Sequence, residues 1–466
     1  MRKSTVAIAL CLGGCAVGPN YKQPETTVDA QFTNSAAASY SPDEIQAQFW
    51  TTFNEPLLTK LLDQALTANK DLEIARANLR AARAARGLTQ FDFFPTVTAG
   101  ASRLKIKQSE HQLPGVPESE REFDDVDAGF DASWELDFFG RVRRGVQAAR
   151  AEEQAAAAQL RDAQVTVTAE VARNYFVLRG LQDQLGVAVR NSDNQRQTLS
   201  LTEARLDAGR GTELDTSRAQ AQLQTTLASI PPLRSSIAAT IYRLGVLTGQ
   251  LPTALSAELE PVQPSPTLPQ LTAIGTPDAL LRRRPDIRVA ERQLASATAR
   301  VGIAVGDLFP RVSFIGSIGY NAGSTGDLGK AGSDTYAFGP SISWAALDLG
   351  RVRSRIGIAN AQADAALAAY QSTVLLALEE TEGALLNYGL SQSRSATLEQ
   401  AAAASSKAAN LARQRFEGGL TDFLNVLDAE RDALSAQDSL AQSRTQTATS
   451  LIAVYKALGG GWTPEG

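Results

Sequence analysis

Between Asp125 and Phe138 apolar and polar residues alternate without a break: Val126, Ala128, Phe130, Ala132, Trp134, Leu136 and Phe138 against Asp125, Asp127, Gly129, Asp131, Ser133, Glu135 and Asp137. A period of two is that of a β-strand with one wet and one apolar side, and this run is long enough to cross a bilayer as a tilted strand. Val312, Phe314, Ile318 and Tyr320 alternate with Arg311, Ser313, Ser317 and Gly319, and Tyr336, Phe338, Ile342 and Trp344 form a looser return strand. Two long hairpins are predicted, at about 95–138 and 311–348. A half-buried strand pair in a soluble sheet has the same period. The aromatic residues favour the membrane: Phe91, Phe93, Phe94, Trp134, Phe138 and Phe139 lie near the base of the first hairpin, Phe309 and Trp344 at the base of the second, as an interfacial girdle requires. The far ends are polar or glycine-rich, Gln108 to Glu122 with the lone His111 and Asn321 to Asp334, and read as solvated loops.

Before each hairpin the period is helical, from about Leu57 to Gly87 and from Pro277 to Gly306, and Phe94-Pro95 and Phe309-Pro310 end those helices. After each hairpin a proline-free stretch runs from Arg143 to about Asp207 and from Arg353 to about Glu417. Roughly 65 helical residues span about 95 Å, so these are coiled-coil elements. Val167, Val171, Asn174, Leu178, Leu181, Leu185 and Ala188 follow the spacing of such a seam in the first copy. Gly209 to Gly211 and Gly418-Gly419 then turn the chain into return helices reaching Leu247 and Leu458, the first predicted to break or kink at Pro231-Pro232.

The pattern is written twice. Trp134 to Arg143 recurs as Trp344 to Arg353, and Arg205-Leu-Asp-Ala-Gly209 as Arg415-Phe-Glu-Gly-Gly419, at one offset; Asp71 and Phe94-Pro95 match Asp286 and Phe309-Pro310 at a slightly larger one. The reading is a tandem duplication. Its parts are a signal peptide at 1–14, an N-terminal segment at 15–56, repeat 1 at 57–250, a proline-rich connector at 251–276, repeat 2 at 277–458 and a tail at 459–466.

Met1-Arg2-Lys3, an apolar run from Val6 to Leu12, and Gly13-Gly14-Cys15 have the order of an export signal. Leu12-Gly13-Gly14-Cys15 resembles a lipobox, which makes Cys15 the lipidated first residue of the mature chain and its lipid the only covalent group expected. Ala16 after the cysteine fits passage to the outer membrane. With 45 Lys and Arg against 50 Asp and Glu, the net charge of −5 offers no field for nucleic acid. Across 466 residues there are 2 Cys, 1 His and 1 Met, too few for the common metal sites, cysteine nucleophiles or Ser-His pairs. No metal, cofactor or enzyme activity is expected, and the alternating strand carboxylates read as a water-facing lumen rather than an acid–base pair.

Four strands cannot close a barrel, and open edges in hydrocarbon leave backbone groups unpaired, so several chains must share one. Three would supply twelve strands. Leu280-Leu281-Arg282-Arg283-Arg284-Pro285-Asp286-Ile287 with Ala290-Glu291, Cys15 to Tyr21, Trp134 to Gly140, Arg415 to Asp428 and Tyr455 to Trp462 closely resemble the signature of the outer membrane factor family, the lipoprotein branch serving tripartite efflux pumps. The resemblance spans nearly the whole mature chain. It implies a homotrimer in the outer membrane of a Gram-negative bacterium, with a twelve-stranded transmembrane β-barrel, an α-helical coiled-coil tunnel in the periplasm and a mixed α+β equatorial region.

The resemblance further implies that the helix-turn tips meet a periplasmic adaptor protein, coupled to an inner-membrane transporter. Those tips are Gly209, Gly211, Thr212 and Leu214, and Gly419, Leu420, Thr421 and Phe423. Asp428 and Arg415 match gate residues, Phe416 stands where relatives often carry Tyr, and Arg218 is the potential partner of Asp428 across the repeats. The function implied is a passive exit duct for drugs or other small toxic compounds, opened by the adaptor. A duct for protein or polysaccharide secretion shares the architecture, and a non-channel coiled-coil envelope lipoprotein shares the helices and lipobox.

Overall fold

Residues 16–43, 46–269 and 272–462 of the computed structural model are described; the signal peptide and Cys15 lie outside them. The first half begins with a two-residue strand β1 (Tyr40–Ser41), a 3-10 turn (Phe49–Phe53), α1 (Pro56–Ala68) and α2 (Lys70–Phe91). It continues with β2 (Thr96–Lys107), a short α3 (Glu118–Arg121), β3 (Glu122–Leu136), α4 (Arg141–Asp207) and α5 (Glu213–Leu247). After α6 (Ser256–Leu259) and β4 (Thr272–Ala273), the second half repeats that order: α7 (Pro277–Arg283), α8 (Pro285–Gly306), β5 (Arg311–Ala322), β6 (Asp334–Ser343), α9 (Leu349–Glu417) and α10 (Phe423–Ala457).

Three features differ from the sequence pattern. The helix preceding each hairpin is two helices. Asn69 ends α1 in an extended conformation while its side-chain oxygen accepts from the N–H groups of Asp71 and Leu72, starting α2. Arg284, held extended before Pro285, divides α7 from α8. Pro231 and Pro232, by contrast, do not break α5. Both are exposed, so water can serve the carbonyls of Leu227 and Ala228 that the two missing N–H groups leave unpaired.

The chain divides into two compact units. One holds residues 16–25, 78–157 and 289–371, and contains a four-stranded antiparallel sheet in the order β2-β3-β5-β6. The two hairpins join through β3 and β5, where Val126 pairs with Ala322 and Leu136 with Val312; β2 and β6 are the free edges.

The other unit holds residues 26–77, 158–288 and 372–466. Its core packs Phe49, Trp50 and Phe53 of the 3-10 turn with Leu58, Leu61 and Leu62 of α1, Tyr175 and Phe176 of α4, Leu244 of α5, Tyr388 of α9 and Tyr455 of α10. Phe49 and Tyr455 stack with centroids 4.7 Å apart. The motif around Arg284 is structural: its guanidinium donates to Asp286 at 2.7 Å, to Glu380 at 2.7 Å and to the carbonyl of Ala457 at 2.6 Å, while Leu280 and Ile287 are buried. Burial, then the carboxylate of Asp286, holds the nearby Asp162 carboxyl above its ordinary pKa.

Candidate channel wall and helix tips

Strand register fixes which side chains share a face. Phe130 lies opposite Ala99 and Ile318, Trp134 opposite Phe314, and Ile318 opposite Tyr336; Val312 faces Ile342 and Gly316 faces Phe338. One face of the sheet is therefore almost wholly apolar, and its large members are open: Ile318 is 65% exposed, Phe338 72% and Tyr336 74%. On the other face Asp127 is opposite Ser102 and Asn321, Asp131 opposite Thr98 and Ser317, and Glu135 opposite Ser313. Asn321 donates to Asp125 at 2.7 Å on this side, which also carries apolar Ile315 in mid-strand and Leu104, Ile106 and Phe123 toward the loop end. The apolar face ends in cross-strand charge, Arg103 with Asp124 at 2.7 Å and Lys105 with Glu122 at 2.5 Å. A sheet so divided has one side suited to hydrocarbon and one to water.

At the opposite end the two hairpins are pinned alike. Trp134 Nε1 donates to the carbonyl of Phe93 at 2.9 Å, and Trp344 Nε1 to that of Leu308 at 3.0 Å. Both indoles remain partly exposed, as does Phe138, which suits rings that need one wet and one apolar environment. Phe139 is instead packed, stacking on Phe309 with centroids 4.6 Å apart and an interplanar angle of 16°. Trp344 lies just beyond the end of β6.

The turns α4–α5 and α9–α10 share one glycine-based helix ending. Gly209 (φ +66°) and Gly419 (φ +72°) take the left-handed conformation that glycine adopts without cost. In each, the next N–H closes the helix end: Arg210 onto the carbonyl of Arg205, and Leu420 onto that of Arg415, both at 2.8 Å. Gly211 then leads to Thr212, which caps α5, its hydroxyl accepting from the N–H of Asp215 at 3.2 Å. The second tip differs, for Thr421 accepts from Asn425 and Asp422 occupies the cap position without a side-chain bond.

Exposure sorts the predicted tip residues. Leu214 (57%) and Leu420 (72%) stand out into solvent. Phe423, expected on the contact surface, is 2% exposed and packs with Phe416, Val426, Leu427 and Ala219 inside the tip. Phe416 is buried there too, tilted on Phe423 at 5.6 Å. Asp428 and Arg415 are exposed and Arg218 half-exposed; among the described residues none of the three has an ion-pair partner, so the predicted Arg218–Asp428 pair is not formed within the chain.

Sequence reasoning overlooked two groups. Arg205, the repeat-1 counterpart of Arg415, donates to the carbonyl of Phe416 at 2.5 Å and lies 4.5 Å over its ring, joining the two tips. The recurring Arg-x-x-x-Gly motif was the signal. Beneath the tip cluster, buried Glu430 accepts from Arg413 at 2.7 Å and Thr198 at 2.8 Å.

The chain matches the outer membrane efflux protein family over residues 61–250 and 276–460, and it belongs to that family. Its class is thus an outer-membrane efflux channel of Gram-negative bacteria, a transport conduit and not an enzyme. It is 31% identical to the solvent efflux pump outer membrane protein SrpC of Pseudomonas putida, over 97% of each chain. With nodulation protein T of Rhizobium leguminosarum bv. trifolii the identity is 29%, over 99% of this chain and 98% of that one. Among solved structures, the outer-membrane channel OprN superposes with a TM-score of 0.91 and 44% identity, covering 97% of this chain and all of the other.

Proposed function

We propose that three copies of this chain form the exit duct of a tripartite pump, a twelve-stranded barrel in the outer membrane with the long helices arranged as a periplasmic tunnel. The division of the sheet into an apolar face and an acidic, serine-lined face carries this reading, because two free edges, β2 and β6, can be satisfied in lipid only by other copies. Each protomer contributes two copies of one structural unit, and a lipid on Cys15 adds an anchor. Drugs or other small toxic compounds pass to the exterior, driven by an inner-membrane transporter, as the solvent-pump name of the relative SrpC suggests.

Exposed Leu214 and Leu420, with the turns at Gly209, Gly211, Thr212, Gly419 and Thr421, form the surface that a periplasmic adaptor captures. Three-fold symmetry draws three Asp428 carboxylates toward the axis as a gate, opposed by Arg415 and Arg218 of neighbouring copies, with Phe416 as the packed base in place of a hydroxyl. A ring of like charge favours cations and resists closing. Asp428→Ala is expected to raise single-channel conductance in a planar bilayer and lower cation preference; unchanged currents remove the gate assignment. Leu420→Glu is expected to leave trimers intact on a non-denaturing gel while abolishing adaptor co-purification, and retained drug efflux in that variant overturns the docking assignment.

A further inference from the structure

In the sheet-bearing unit, the start of α4, a face of α8 and residues 19–21 line an open cavity of about 420 Å³. Three of its wall residues are arginines, and they are not equally compensated. Arg292 is paired with the carboxylate of Glu291 and rests 5.3 Å over the ring of Tyr21. Arg144, only 2% exposed, has no carboxylate partner among the described residues. It donates to neutral acceptors alone: the carbonyls of Val17 and Gly18 at 3.1 Å, that of Ala16 at 3.4 Å, and the amide oxygens of Asn20 and Gln147 at 2.9 Å. Burial, then the neighbouring Arg143, pushes its pKa below the ordinary guanidinium value. Arg150, further along α4, is exposed and carries no hydrogen bond or ion pair among the described residues.

The amides decide what the cavity can hold. Asn20 and Gln147 have their oxygens engaged by Arg144, and Gln154 has its oxygen engaged by Arg292 at 3.0 Å. Each is left with its N–H groups, so Asn20, Gln147, Gln154 and Arg150 offer donors around a space whose buried cation lacks a counter-charge. An anion with several acceptor oxygens satisfies that set, and charge-assisted bonds to it offset the burial of Arg144. The cavity lies beside the segment that follows Cys15. Val17 donates to the carbonyl of Phe139, at the end of β3 where the partly exposed indoles gather.

We propose that this cavity binds the phosphodiester headgroup of an anionic phospholipid in the inner leaflet, a non-covalent lipid site supplementing the anchor at Cys15. The inference rests on the sheet being the membrane-spanning part. A phosphatidylglycerol headgroup presents the phosphate without a cation, whereas the ammonium of phosphatidylcholine meets Arg150. The full mature chain in detergent, titrated with each lipid and examined by native mass spectrometry, is expected to bind phosphatidylglycerol about tenfold or more tightly than phosphatidylcholine. Arg150→Gln, an exposed substitution that leaves folding and oligomer mobility unchanged, is expected to erase that preference. Equal binding of the two lipids, or a preference that survives Arg150→Gln, overturns the proposal. Displacement of phosphatidylglycerol by millimolar inorganic phosphate assigns the cavity to the free ion and overturns the lipid. A chain that stays soluble without detergent defeats the membrane reading itself, a result separate from any lipid preference.

Discussion

Phe423 illustrates what one residue's position in a turn determines. It stands four residues after Gly419, in a segment whose other large apolar member, Leu420, is exposed, yet its own ring is shut inside the tip. Sequence spacing marks both as apolar and near the turn, but it does not say which side of a two-helix turn is packed, since that depends on the neighbouring helix pair. The same neighbour explains why Arg205 was missed while its counterpart Arg415 was noted. Phe423→Ala is expected to cost about 3 kcal/mol, the scale of a large aromatic removed from a packed site, and to loosen the tip locally. Hydrogen exchange should quicken at 416–427 with little change in the sheet, and unaltered exchange there would contradict the packing role.

At the scale of elements, the strands and long helices were legible because their periods are clean and uninterrupted. The predicted hairpin at about 95–138 contains β2 and β3, and the proline-free stretch from Arg143 became α4 with its end at Asp207. Boundaries set by side-chain chemistry were not legible. The division at Asn69 needs an amide turned back onto the next helix, whereas that at Arg284 follows from Pro285, a breaker the helical period of 277–306 masked. The uninterrupted α5 shows the converse, a strong local breaker overridden because its freed carbonyls stay wet. Relieving it tests the point. Pro231→Ala with Pro232→Ala is expected to stabilise α5 by about 3 kcal/mol or more, on the interior-proline scale. The midpoint of thermal unfolding, followed by circular dichroism, should rise, and a lower midpoint would show that the prolines are required by packing.

For the whole molecule, the decisive property is that alternation in four strands adds up to one apolar and one polar surface, which the proposed duct turns to lipid and to water. Sequence displayed this in single strands; only the register shows that Phe130, Ile318 and Tyr336 fall in one row. In the proposed duct adjacent residues of β5 thus face opposite media. Ile318→Arg is expected to cost about 2–4 kcal/mol if it lies near the bilayer midplane, and to deplete assembled trimers from membranes. Ser317→Arg should insert normally and reduce cation preference in bilayer recordings. Equal behaviour of the two variants would refute the assignment of the faces.

The β3–β5 pairing has a consequence for biogenesis. In the proposed three-part ring both hairpins are already zipped together within a single polypeptide, so three seams remain to be sealed rather than six, and each newcomer brings a four-strand sector whose two rims each carry both N–H donors and C=O acceptors. Under that proposal the two hairpins of a protomer are expected to enter the bilayer together, as one hydrogen-bonded sector.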